Sequence, residues 1–230
     1  MTGVQTCALP ISQVKTLNNA ATPGSTQNET LTLVYDTTAG RTSNLLRVET
    51  RVDNGTGTAS ALLTRVRYSY DASNRLESVT TDLSPSDNSV ADNNSFVTLY
   101  TYDGTSKRIT SITQMSGAVF ANATNRANAY YHASRLEISY DASGRVYQLK
   151  QNTGATSAGV ATQSITTYTY GAGTTTVTDA TGAQTVLGFD ATRRLTSIAQ
   201  PDGRTRSFSY VSASDDHLAS ITDERGRVTA

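Results

Sequence analysis

The residues with the widest chemical repertoire in this chain are two histidines, His132 and His217, and a scatter of aspartates. Asp215-Asp216-His217 offers two carboxylates and an imidazole, donor types that suit a divalent metal. Three consecutive residues on a strand alternate faces and do not converge on one ion, so a turn built on the Asp pair is the expected role. His132 follows Tyr130 and Tyr131 in an aromatic, strand-like stretch, where an imidazole is expected to be packed or at the surface. Asp53-Asn54-Gly55-Thr56-Gly57 opens like a calcium loop but lacks the acidic closing residue. Gly171-Ala172-Gly173-Thr174 lacks the lysine of a phosphate-binding loop. The sequence has no Gly-x-Ser-x-Gly elbow for a serine nucleophile and no Cys-x-x-Cys or His-x-x-x-His pair. Asn28, Asn54, Asn93 and Asn122 open glycosylation sequons, which a chain this rich in Asn, Ser and Thr produces by chance. Two distant carboxylates can meet in a fold, but the aspartates here are already accounted for by turns. No catalytic, metal-binding or cofactor-binding residue is assigned, and neither a cofactor nor an enzymatic activity is expected.

The elements that would have to position such residues are β-strands. Tyr supplies 12 of the aromatic residues, Phe 4 and Trp none, and Thr and Ser are heavily used. Thr and Tyr suit a pleated, half-buried surface, whereas β-branching restricts χ1 in a helix. Lys and Arg number 19, as do Asp and Glu. A net charge of zero gives no footprint for nucleic acid or an anionic membrane. No apolar run of the length of a membrane-spanning helix occurs, so this segment is not expected to insert into a bilayer. Residues 1–11, Met-Thr-Gly-Val-Gln-Thr-Cys-Ala-Leu-Pro-Ile, resemble the translation of a sequencing adapter. Residues 1–12 are therefore expected to be a disordered, non-native scar. It would hold the chain's one cysteine, Cys7, and leave the rest without disulfides.

Internal repetition decides the fold. The segments Tyr68-Ser-Tyr70-Asp71-Ala-Ser-Asn74-Arg75-Leu76, Tyr100-Thr-Tyr102-Asp103 through Arg108-Ile109, and Ile138-Ser-Tyr140-Asp141-Ala-Ser-Gly144-Arg145-Val146 align. So do Leu187-Gly-Phe189-Asp190-Ala-Thr-Arg193-Arg194-Leu195 and a degraded copy from Phe208-Ser-Tyr210 to Leu218. Val34-Tyr35-Asp36 through Gly40-Arg41 has the same opening, and Tyr168-Thr-Tyr170 keeps only the aromatic pair. Tyr68 and Tyr70 share one strand face, with Ser69 on the other. Asp71 then opens a turn, its carboxylate accepting from a backbone N–H two residues on. Asn74, Gly144 and Arg193 fall where such a turn needs positive φ, a position unfavourable for Arg193. Arg75 and Leu76 start the return strand, and the Arg75 guanidinium is expected on the ring of Tyr70 across the loop. The shortest interval, Phe189 to Tyr210, is about 20 residues, one hairpin of two strands of roughly eight residues with its turns. Thr81–Asn94 and Gln151–Thr162 read as loops. A second turn type, with Asp before Gly, is read at Asp179–Gly182, Asp202–Gly203 and Asp223–Gly226.

These Tyr-Asp hairpins with Gly-Arg-Leu-like returns resemble the YD repeats of Rhs-type proteins, bacterial toxin shells and teneurins. The resemblance covers about Leu31 to Ala230. It implies an all-β fold of consecutive antiparallel β-hairpins in a curved, twisted sheet, a segment of a hollow shell. Residues 13–30 are expected to be a linker or irregular strand, and 31–230 a YD-repeat array truncated at both ends. The resemblance further implies a non-catalytic structural segment of a large secreted or cell-surface bacterial protein that encloses or presents a toxin or effector. The partners it implies are the remainder of the same polypeptide, with further repeats and a C-terminal effector. No residue here matches the Asp-based self-processing site of such arrays. The alternative is an adhesion module whose exposed tyrosine faces bind a surface glycan or protein.

Overall fold

A computed structural model describes residues 13–19, 26–53, 63–84, 94–128, 134–156 and 158–230. The scar expected at 1–12 and His132 lie outside them, as do residues 54–57 of the calcium-loop look-alike and the sequons' Asn54 and Asn93. Two compact units divide the chain, Met1–Ser134 and Arg135–Ala230.

The first unit is an antiparallel meander. Its strands are β1 (Gln13–Asn19), β2 (Thr26–Tyr35), β3 (Leu45–Asp53), β4 (Leu63–Tyr70), β5 (Leu76–Asp82), β6 (Ser95–Tyr102) and β7 (Ile109–Ser116). Each pairs with the next in chain order. Two short helices follow, α1 (Gly117–Ala121) and α2 (Ala123–Ala127), which the strand-dominated composition gave no reason to expect. Each has a side-chain cap of the kind helix starts favour: Ser116 Oγ accepts from the Val119 N–H, and Asn122 Oδ1 from the Asn125 N–H. Asn122, the first residue of a sequon, is thus spent on capping.

The second unit repeats the meander. It contains β8 (Ser134–Tyr140), β9 (Val146–Ala155), β10 (Ala161–Gly171), β11 (Thr174–Thr178) and β12 (Gln184–Phe189). It continues with β13 (Leu195–Ala199), β14 (Thr205–Ser212), β15 (Asp215–Thr222) and β16 (Val228–Thr229). Pairing is again antiparallel between chain neighbours throughout. The all-β, hairpin-after-hairpin fold expected from the repeats is the fold observed.

Three local expectations need correction. Within the stretch 13–30, the described residues 13–19 and 26–30 form paired strand: β1 is in register with β2 from Gln13↔Thr32 to Asn19↔Thr26. The boundary placed at residue 31 therefore falls inside a strand. A ladder needs only backbone groups, so a polar segment such as Thr26-Gln-Asn-Glu-Thr30 can extend it. Residues 151–162 are not a loop but the ends of β9 and β10, from Gln151↔Ser164 to Ala155↔Ala161. Their turn is closed by the Gly159 N–H to Thr156 O at 2.9 Å and the Thr156 N–H to Val160 O at 2.8 Å. Likewise β5 runs on to Asp82, where a loop was expected from Thr81.

Side-chain alternation splits the meander into two chemically distinct faces. Within each unit one face carries aromatic or aliphatic residues opposite aliphatic partners: Tyr68↔Val79, Tyr100↔Ile112 and Tyr102↔Ile109 in the first, Tyr168↔Val177, Leu187↔Ile198 and Phe208↔Ile221 in the second. The other carries small polar pairs. Ser69 and Ser78 hydroxyls lie 2.6 Å apart, Thr101 and Ser111 2.7 Å, and Ser209 and Ser220 2.8 Å. Cross-strand pairs of this kind are the unit of sheet stabilisation. In the first unit this second face is the more deeply buried. It holds the paired Val97 and Met115, only 1% and 4% exposed, with Ser78, Ser95, Ser111 and Thr113 around them. In the second unit Asn152 is the one fully buried residue among those described, and most strand residues are half-buried. That unit depends on contacts between neighbouring strands, not on a deep core.

Candidate functional site

The site worth building from the residues upward is the one that recurs: the loop end of each YD hairpin. In the turn 71–75, the Asn74 N–H donates to Asp71 O at 3.0 Å and the Asp71 N–H to Arg75 O at 2.9 Å. Asp71 Oδ1 accepts from the Ser73 and Arg75 N–H groups, both at 2.9 Å, and Oδ2 from Arg75 Nε at 2.7 Å. One carboxylate thus satisfies the turn's free donors and pins the returning arginine. Asp141 does the same with Ser143 and Arg145, Asp190 with Thr192 and Arg194, and Asp223 with Arg225 and Arg227. Asn74, Gly144, Arg193 and Gly226 adopt φ of 61°, 76°, 68° and 78°, the left-handed position the sequence pattern required.

The turns read as a second type are the same turn. Asp179 and Asp223 make the backbone closure seen at Asp71. Gln200 replaces the aspartate in the turn 200–204, and the carboxylate moves two residues on, to Asp202, which pairs with Arg204. The distinction drawn from sequence was one of flanking residues, not of backbone geometry.

The carboxylates respond as acceptors of several donors should, with the ionised form favoured. The Arg75 side chain, then its N–H, holds Asp71 below its ordinary value. The Arg145 N–H leads the same effect at Asp141, and the Arg227 N–H at Asp223. At Asp190 the Thr192 hydroxyl and then the Arg194 N–H lower the pKa to about 2.

The expected stacking of Arg75 on Tyr70 does not occur. Arg75 lies 4.4 Å from the ring centroid of Tyr102, the tyrosine of the next hairpin. Arg145 lies over Tyr170 and Arg194 over Tyr210, each at 4.3 Å. The tyrosine hydroxyl then donates to the carbonyl just past that arginine: Tyr102 to Leu76 O at 2.7 Å, Tyr170 to Val146 O at 2.6 Å and Tyr210 to Leu195 O at 2.8 Å. Tyr70 does the same to Leu45 O at 3.0 Å, although Asn44 stands there in place of the arginine. The reason is register. The turn brings a bulge between Ser69 and Tyr70 and sets Tyr70 opposite Leu76, so the next position, Arg75, turns toward the following hairpin. Tyrosine, arginine and aspartate thus form a clamp that joins one repeat to the next. Sequence reasoning found all three residues and assigned the arginine to the wrong neighbour. The tyrosine of the next repeat is tens of residues away, beyond any local pattern. Burial raises the Tyr102 hydroxyl pKa, with the nearby Asp71 charge adding to it, and burial raises that of Tyr70.

Among the described residues, those with catalytic potential are not gathered. Asp215 Oδ1 accepts from the His217 N–H at 2.9 Å and faces its Nδ1, while the Asp216 side chain is 92% exposed and points elsewhere. Among the described residues no group of three or more His, Cys, Asp or Glu side chains is placed to hold a metal ion. Gly171-Ala172-Gly173-Thr174 is a tight hairpin turn, with Gly173 at φ 72° and its carbonyl accepting from the Phe189 N–H at 2.8 Å.

Residues 171–205 match the family model described as RHS Repeat. The matched segment runs from the β10–β11 turn through the Asp190 hairpin to the first residue of β14. None of the curated proteins matches the chain. Among solved structures, the chain is similar to TcdB2-TccC3 without its hypervariable C-terminal region, at 14% identity and a TM-score of 0.30, covering 86% of this chain and 12% of that one. It is similar to TcdB2-TccC3-TEV at 14% identity and a TM-score of 0.28, covering 85% and 13%. A Photorhabdus luminescens Tc holotoxin pore structure is similar at 12% identity and a TM-score of 0.19, covering 87% and 14%. The chain spans about one eighth of the length of the first of these. The family match is laid over the recurrent aspartate-turned hairpin, so residues 171–205 are similar to an RHS repeat and carry the Asp190 turn found in its sister hairpins.

Proposed function

We propose that this chain is a non-catalytic wall segment of a larger secreted or cell-surface protein, in which further repeats of the same polypeptide enclose or present an effector. The carrying observation is the clamp: Arg75–Tyr102, Arg145–Tyr170 and Arg194–Tyr210 each fasten one hairpin to the next. A device that joins consecutive repeats serves extension of a sheet. The RHS repeat at residues 171–205 supports the same reading. Among the described residues no helix is long and apolar enough to cross a membrane.

The test is made on the full-length parent polypeptide. Electron microscopy of the purified parent is expected to show a hollow particle, with an enclosed segment resistant to protease until the wall is denatured. A parent with no lumen, or an effector cleaved as fast in the native particle as in denaturant, would refute the enclosure.

A further inference from the structure

The three clamps differ in one respect. Arg75 Nη1 also donates to two carbonyls of the next turn, Gly104 O at 2.7 Å and Ser106 O at 2.5 Å. Arg194 Nη1 does likewise with Ser212 O at 2.9 Å and Asp215 O at 2.5 Å. Among the described residues Arg145 has no such partner. The hairpin it faces is the shortest of the three: four residues separate the Tyr170↔Thr175 pair, against six for Tyr102↔Ile109 and seven for Tyr210↔Leu218. The Arg145 side chain is accordingly 52% exposed, against 15% for Arg75 and 13% for Arg194.

The shortened hairpin sits between two full turns, 141–145 and 190–194, and leaves a notch of about 610 Å³. Arg145 and Tyr170 line one side, Phe189, Asp190 and Arg193 the other, and the Gly171–Gly173 turn lies between. Arg193 is exposed, and its guanidinium makes no hydrogen bond, ion pair or ring contact among the described residues. It holds the left-handed position, φ 68°, that Gly144, Gly182 and Gly226 hold in sister turns. An arginine is a costly choice there, and a strained residue at a notch invites a functional reading. Asp190 does not neutralise the notch, because its oxygens are taken by Thr192 and by Arg194. Two guanidinium groups with open donor edges thus flank a gap in a chain of zero net charge.

We propose that this notch binds an acidic peptide segment. Its carbonyl or carboxylate oxygens take the Arg145 Nη1 donors that the absent turn leaves open, and an acidic side chain takes the planar fork of Arg193. A polypeptide is favoured over a free oxyanion because peptide carbonyls, two in each case, fill the same arginine edge at Arg75 and Arg194.

The probe is a fluorescein-labelled hexapeptide of alternating Gly and Asp, read by fluorescence anisotropy against the full 230-residue chain. Its Asn counterpart serves as the uncharged control. Saturable binding of the Asp peptide, weakened about tenfold by Arg193→Gly and by Arg145→Gln, is expected. Arg193→Gly restores the residue the turn prefers, so its loss of binding cannot come from unfolding. Should Arg145→Gln fail to fold, Arg193→Gly decides alone. Arg225→Gln, in an exposed turn elsewhere in the same unit, leaves binding unchanged. Equal binding of the Asn peptide, full binding by Arg193→Gly, or displacement by inorganic phosphate at the concentration that free Asp peptide requires would each overturn the proposal.

Discussion

Arg193 and Tyr102 show how much rests on single side chains. Arg193 sits at φ 68°, where the missing freedom of an L-residue costs about 1–2 kcal/mol. Arg193→Gly is expected to raise unfolding free energy by about 1 kcal/mol in a urea titration of the second unit's transition. No gain would mean that unseen contacts offset the strain. Tyr102→Phe keeps the ring under Arg75 but removes the bond to Leu76 O, a loss of about 0.5–1.5 kcal/mol. A double-mutant cycle separates the two possible partners of Arg75. Coupling of about 0.5–1 kcal/mol is expected with Tyr102 and essentially none with Tyr70. The reverse result would restore the within-hairpin stacking that the sequence suggested.

The turn and the strand pair are the elements through which these residues act. Asp71, Asp141, Asp179, Asp190, Asp202 and Asp223 all have folded-state pKa values below the ordinary 3.8, Asp190 at about 2. A depressed value means the unfolded chain binds the proton more tightly. The turns' contribution is therefore complete above about pH 5 and is lost as pH falls through 4 toward 2. Differential scanning calorimetry is expected to give a midpoint nearly flat from pH 8 to 5 that then drops. Asp190→Asn should lower the plateau and soften the drop. Salt should shrink the effect, since these groups stand near solvent. In the first unit, Met115→Ala is expected to cost about 2–5 kcal/mol, because Met115 is 4% exposed and packs opposite Val97. In the second unit, which lacks such a pair among its described residues, Ile165→Ala on the exposed part of β10 should stay within about 1 kcal/mol, as surface substitutions generally do.

At the scale of the whole molecule, what was legible in the sequence was whatever is local. Asp71, Asn74 and Arg75 lie within one turn, and their roles follow from five residues of backbone. The β-class and the hairpin succession follow from the recurrence of that turn. Register along a hairpin is fixed by it too, as Tyr70↔Leu76 and Tyr140↔Val146 show. What was not legible depends on the next hairpin: the seat of each arginine, the notch beside Arg145, and the extension of β1, β9 and β10 into polar sequence. Polar stretches such as Gln151-Asn-Thr-Gly154 look like loops to any composition argument, yet they pair because the partner strand supplies the hydrogen bonds. The helices α1 and α2 were missed for a related reason, since five-residue helices owe their existence to caps and neighbours, not to periodicity.

Within each unit, every strand finds its partners immediately before and after it along the chain. Such a ladder never has to wait for a distant segment before closing its next rung. It can set one hairpin at a time as the polypeptide leaves a ribosome, each new tyrosine latching onto the arginine already in place. A nascent chain arrested after residue 200 should already protect the amides of β10–β13 from exchange, before β14 has been made. Assembly by accretion lets such a sheet lengthen from whatever has already folded, whichever end of the chain is still missing.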